Sequence, residues 1–123
     1  YTRQDGKQVR DLLFVEDLVE SYSLAAKNID RAAGKVYNIG GGVENKLSVW
    51  REFGPMLEQM LGRSIPVRHA HWRPADQKIY VSDIGLARSE LQWSPRVPVE
   101  RGLQILFDWL RDNLEKLPRS VGP

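Results

Sequence analysis

The sequence predicts an α/β fold with about four short strands and four helices. Two observations carry this. Apolar residues recur at helical spacing in several segments, and short strand-like apolar runs fall between them. The connections are long enough for crossovers, which predicts parallel pairing.

Asp5-Gly6 is a turn dipeptide between extended segments, a hairpin signal. In the run that follows, Val9, Leu12, Phe14 and Val15 favour a strand, interrupted by Arg10-Asp11. Asp17 stands where an N-cap belongs, and Leu18, Val19, Tyr22, Ala25, Ala26 and Ile29 recur behind it at helical spacing. This predicts a helix over 17–28, with Gly34 closing the stretch. KVYNIGGG (35–42) reads as a short strand closed by three glycines.

Ser48 can cap a second helix whose apolar face holds Val49, Trp50, Phe53, Leu57, Met60 and Leu61. Gly54-Pro55 conflicts with an interior position, since proline there costs about 3 kcal/mol. A late start or a kink is expected, with Gly62 as the stop. IPVRHAHW (65–72) and KIYVSD (78–83) read as two more strands, and Asp83 as the cap of a short helix over 84–91. QWSPRV is a turn with an indole anchor. Val99, Leu103, Leu106, Phe107, Leu110, Leu114 and Leu117 share one face of a last helix, stopped by Pro118 and followed by a disordered tail over 119–123.

The 123 residues suit one small domain with a modest core. Net charge is only +2 and the basic residues are scattered, which argues against nucleic acid as a partner. There is no cysteine, so disulfides and thiolate metal sites are excluded, and a reducing, cytoplasmic setting fits. No apolar run approaches the roughly 18 residues a membrane span needs, and no signal peptide is visible. The chain opens on Tyr1 rather than Met, and its few short strands would leave a sheet with bare edges. The sequence therefore reads as part of something longer.

Several residues could carry chemistry. His69 and His71 would share one face of a strand, and with Asp76 could form a metal trio, but no third ligand has convincing spacing. Two partly exposed histidines on an edge strand are the simpler reading. The glycines at 40–42 occupy the place of a dinucleotide loop but lack its G-x-G-x-x-G spacing, so a plain strand-to-helix turn is favoured. Arg10 sits in an apolar run beside Asp11, which could pair with it. Arg73 precedes Pro74 at a strand end, and Asp76 follows. Two guanidinium forks from different segments could clamp a pyrophosphate, and a carboxylate can accept from ribose hydroxyls. Solvated surface charge would explain the same residues.

In order, GKQVRDLLFVEDL (6–18), VYNIGGG (36–42), RPADQKIYVSDI (73–84) and LQWSPRVPVERGLQILFDWL (91–110) resemble the C-terminal part of NAD-dependent nucleotide-sugar epimerases and dehydratases. These are the extended short-chain dehydrogenases/reductases, and the nearest branch is that of CDP-paratose (CDP-tyvelose) 2-epimerases. The likeness covers nearly the whole chain. It implies that residues 1–118 are the nucleotide-sugar-binding portion, with a CDP-sugar favoured as ligand. NAD would bind the Rossmann part of a full-length enzyme and not this chain. Here no tyrosine has a lysine four residues on, and the glycine-rich NAD loop is absent, so the chain would not be catalytic alone. Carried over residue by residue, Arg10 and Arg73 would hold phosphates and Asp76 the ribose. Gln8, Trp72 and Gln77 are further substrate-binding candidates. Ala75 stands where the family has glycine; if that position needs a positive φ, alanine costs about 1 kcal/mol.

The alternative is a non-catalytic binding or assembly module descended from the same fold. Either way, apolar faces of the helices at 17–28 and 99–117 are expected to be left bare and the chain to self-associate as a homo-oligomer.

Overall fold

The computed structural model describes residues 5–117; the tail at 119–123 lies outside them. The described residues form five helices and one two-stranded sheet. β1 (Val9–Asp11) pairs with β2 (Lys46–Ser48), and the helices are α1 (Val15–Lys27), α2 (Ile29–Ala32), α3 (Phe53–Leu61), α4 (Gly85–Leu91) and α5 (Val99–Asn113). Single 3-10 turns lie at Val43–Asn45 and Leu114–Lys116.

The mixed α/β class holds, but the sheet corrects two expectations. β1 and β2 are antiparallel, in the register Val9↔Ser48, Arg10↔Leu47 and Asp11↔Lys46. Parallel pairing is reduced to one bridge, Val9↔Ile79, made by Val9 N–H to the Lys78 carbonyl (2.9 Å) and Tyr80 N–H to the Val9 carbonyl (3.1 Å). The segments 35–42, 65–72 and 78–83 are not strands among the described residues; His71 and Ile79 make isolated bridges only. A strand exists only where a second strand accepts its hydrogen bonds. Val36, 87% exposed, shows how little covers the first of these segments.

The helices follow the apolar periodicity. α1 begins two residues earlier than expected, and Phe14 rather than Asp17 is its N-cap. α3 starts late, at Phe53, so Pro55 falls in the first turn, where a missing N–H leaves no intrahelical bond unmade. Ser48 is not its cap: it ends β2, and its N–H and hydroxyl donate to Glu52 Oε2 at 2.6 and 2.8 Å. Gly62 ends α3 with φ +65. Asp83 Oδ1 accepts the Gly85 N–H at 2.9 Å at the start of α4.

The core is small: Ala32, Ile84, Ala87, Leu91 and Trp93, with Leu13, Leu24, Tyr37 and Ile39 packed against it. Trp93 is the anchor its position predicted, 1% exposed, with Nε1 donating to the Asp17 carbonyl at 2.9 Å. The Asp17 carboxylate is buried too, and accepts the N–H groups of Arg96 and Val97 at 3.1 and 3.0 Å. It fastens the 93–97 turn to α1, which explains an acidic residue inside the molecule.

Candidate functional site

β1 is the platform of the site. Gln8 and Arg10 are two residues apart and lie on one face of the extended chain, while Asp11 points to the other. On the far side, Asp11 Oδ2 accepts the N–H groups of Gly42 (3.0 Å) and Ser82 (3.1 Å). Burial alone would raise the Asp11 pKa; the Ser82 and Gly42 donors outweigh it and hold the carboxyl below its ordinary range. Asp11 thus pairs with backbone rather than with Arg10.

The glycine run is explained by the same contact. A Cβ on Gly40 would collide with the Ser82 hydroxyl, and one on Gly41 with the Leu12 carbonyl. Gly42 takes φ +68 and spends its N–H on Asp11. A dinucleotide pyrophosphate needs such amides and the space before them. Here a carboxylate of the chain already stands there, so residues 40–42 do not fit NAD.

On the near face, the segment 73–77 carries the remaining candidates. Pro74 and Ala75 form a tight turn, closed by the Asp76 N–H to the Arg73 carbonyl at 3.1 Å. Ala75 has φ +63, the value that glycine adopts freely and alanine does not. Asp76, at 13% side-chain exposure, receives Gln8 Nε2 on Oδ1 at 3.0 Å. Arg73 Nε stands 3.9 Å from Oδ2, and its side chain is 84% exposed. Gln8 Nε2 also donates to the Gln77 carbonyl at 2.9 Å, as does Arg10 Nη2 at 2.9 Å. Arg10 Nη1 turns back to the Val9 carbonyl at 2.7 Å. Five of the six candidates, Gln8, Arg10, Arg73, Asp76 and Gln77, are therefore linked through one turn and one strand edge.

Trp72, the sixth, borders a cleft of about 170 Å3 shared with Gly6, Gln8, Trp50, Val67, Arg68 and His69. Lys78 Nζ lies 5.9 Å from the Trp72 ring centroid, within cation–π range. Trp50 and His69 were missed by sequence reasoning as parts of this surface. Trp50 reads as one more apolar helix residue; Pro55 signals that the helix starts late, but not that Trp50 then turns to this surface. Among the described residues, no three His, Cys, Asp or Glu side chains are grouped to hold a metal.

Charged donors, a fixed carboxylate and an aromatic cleft beside one strand suit an anionic ligand with hydroxyls and a flat ring. Comparison with known proteins bears on this. The profile of the GDP-mannose 4,6 dehydratase family matches residues 2–106. The chain belongs to that family. The CDP-paratose 2-epimerase of Salmonella typhi is 35% identical over 105 residues, 85% of this chain and 31% of that protein. The UDP-glucuronic acid 4-epimerase of Bacillus cereus, solved with UDP-glucuronic acid and NAD, superposes with a TM-score of 0.77 at 30% identity, covering 88% of this chain and 33% of the other. The epimerase Mth375 of Methanothermobacter thermautotrophicus superposes with a TM-score of 0.84 at 26% identity, covering 95% and 34%. The chain thus spans about a third of the length of these three epimerases, and it has their short-chain dehydrogenase fold in part.

Among the described residues, no helix is long and apolar enough to cross a membrane.

Proposed function

We propose that this chain is the nucleotide-sugar-binding portion of an NAD-dependent epimerase or dehydratase, with a CDP-sugar as its favoured ligand. Arg73 and the outward N–H groups of Arg10 hold the pyrophosphate, Asp76 takes a ribose hydroxyl, and the base lies in the cleft between Trp50 and Trp72. The observation that carries this reading is the linkage of Gln8, Arg10, Asp76 and Gln77 by hydrogen bonds across more than sixty residues of sequence. On the same turn, the exposed Arg73 guanidinium stands 3.9 Å from the Asp76 carboxylate. Similarity to the Salmonella CDP-paratose 2-epimerase supports the choice of CDP. The chain supplies binding and orientation, while redox chemistry belongs to NAD in a full-length enzyme. The alternative, a non-catalytic module, keeps the same site.

Self-association belongs to this reading. Val15, Val19 and Tyr22 lie on one face of α1 and are 60%, 57% and 66% exposed, which supports a homo-oligomer.

Calorimetric titration of CDP and UDP into the chain tests the site. Binding by the unaltered protein and at least tenfold weaker binding by Arg73→Ala are expected. Equal binding by the two sinks the pyrophosphate assignment.

A further inference from the structure

We propose that Arg68 reads the base in the Trp50–Trp72 cleft: its guanidinium donates to N3 and O2 of a cytosine ring and so selects CDP over UDP. This rests on the nucleotide-sugar reading and deepens it, because it assigns the choice of base to one side chain.

The cleft bordered by Trp50, Trp72, Val67, Arg68 and Gln8 measures about 170 Å3. Pockets that enclose a whole small-molecule ligand begin at about 300 Å3, so this one suits a single flat ring and leaves the rest of a nucleotide outside. Its aromatic walls are anchored. The Trp50 indole packs on Gly54, where an added Cβ would stand 2.9 Å from ring atoms, and Lys78 Nζ lies 5.9 Å from the Trp72 ring centroid. Gln8 gives a bound ring its direction. It borders the cleft, and its amide donates to Asp76 Oδ1 and to the Gln77 carbonyl. A base in the cleft therefore has its sugar and phosphates on the side of the 73–77 turn.

Stacking and apolar contact accept any flat base, so discrimination needs a polar group. The Gln8 amide donors are spent on the turn. Arg68 is exposed, and no hydrogen bond or ion pair within the described residues commits its guanidinium. A guanidinium carries donors only, in a planar fork that fits two neighbouring acceptors, as it fits O6 and N7 of guanine. Cytosine offers such a pair, with the N3 lone pair beside the O2 carbonyl. Uracil carries a hydrogen on N3, so the same fork would set donor against donor and keep O2 alone. An arginine that only attracted phosphate would treat the two nucleotides alike, since CDP and UDP carry the same diphosphate.

The test is calorimetric titration of CDP and of UDP into the unaltered chain, Arg68→Ala and Arg68→Lys. The unaltered chain is expected to bind CDP about tenfold more tightly than UDP. Arg68→Ala should weaken CDP binding about tenfold and leave UDP within about threefold, which removes the preference. Arg68→Lys keeps the charge without the fork, and its preference should also fall. Both variants should keep the parent's melting temperature, because the side chain they alter is exposed. Equal binding of CDP and UDP by the unaltered chain would overturn the role of Arg68 while the site stands. Equal losses of CDP and UDP in Arg68→Ala, or an undiminished preference in Arg68→Lys, would also overturn it. Binding of neither nucleotide by the unaltered chain would overturn the site reading, and this inference with it.

Discussion

The carboxylate of Asp11 accepts the N–H of Gly42 at 3.0 Å, and with it the loop after residue 39 is tied to the strand that carries Arg10. The same oxygen holds Ser82, which follows the site's turn in the chain. Removing this carboxylate leaves the buried Gly42 and Ser82 amides without their acceptor. Asp11→Ala is expected to lower stability by about 2–4 kcal/mol at neutral pH, measured by urea unfolding. The pH dependence has a definite sign. The folded pKa of Asp11 is depressed, so its contribution is present above the unfolded value and fades as pH falls through the lower folded one. The gap between the unaltered chain and Asp11→Asn should therefore shrink below about pH 4. A gap that stays constant into acid would refute the assignment.

Ala75 holds φ +63 at the centre of the site's turn. Glycine there relieves about 1–2 kcal/mol of backbone strain and adds up to about 1 kcal/mol of unfolded-state entropy. Ala75→Gly is expected to be stabilising by a few tenths to 1 kcal/mol, read as a rise in melting temperature. A fall would mean that the turn is not held in the conformation described.

Trp93 fills the core and donates to the Asp17 carbonyl at 2.9 Å. Trp93→Phe keeps most of the apolar volume but leaves that carbonyl without its donor, and is expected to cost about 1–3 kcal/mol. Urea unfolding followed by circular dichroism measures it. A variant as stable as the parent would show that the indole donor contributes nothing.

Val19 and Tyr22 belong to the exposed stripe of α1. A Val19→Glu, Tyr22→Glu double variant is expected to be monomeric in light scattering at micromolar concentration, where the unaltered chain is larger. A monomeric unaltered chain would count against self-association through this face.

The longer helices were legible because apolar periodicity and the proline and glycine that bound it are local. Pro55 marked the late start of α3, and Gly62 its end. The strands were not, because KVYNIG, IPVRHAHW and KIYVSD have strand-like residues but build no ladder among the described residues, and a ladder depends on the paired segment as much as on the run itself. Asp17 looked like a cap because its true partners, Arg96 and Val97, lie about eighty residues away. The glycine run was readable as a turn, though not the reason for it: the close approach of Leu12 and Ser82. At the site, the residue types suggested anion and ribose binding, and the order of motifs singled out Arg10, Arg73 and Asp76. What the sequence withheld was the geometry, in which Gln8 and not Arg73 makes the short contact to Asp76.

The central claim, a nucleotide diphosphate seated on the 73–77 turn with its base in the Trp50–Trp72 cleft, is tested most directly by a CDP titration followed in amide and indole NMR signals. The four tryptophans are independent reporters, since Trp93 is buried and Trp109 sits on α5. The account predicts shifts at the indoles of Trp50 and Trp72 and at the amides of residues 75–77, with Trp93 and Trp109 unmoved. Shifts centred on Trp109, or none at Trp72 under saturating CDP, would contradict it.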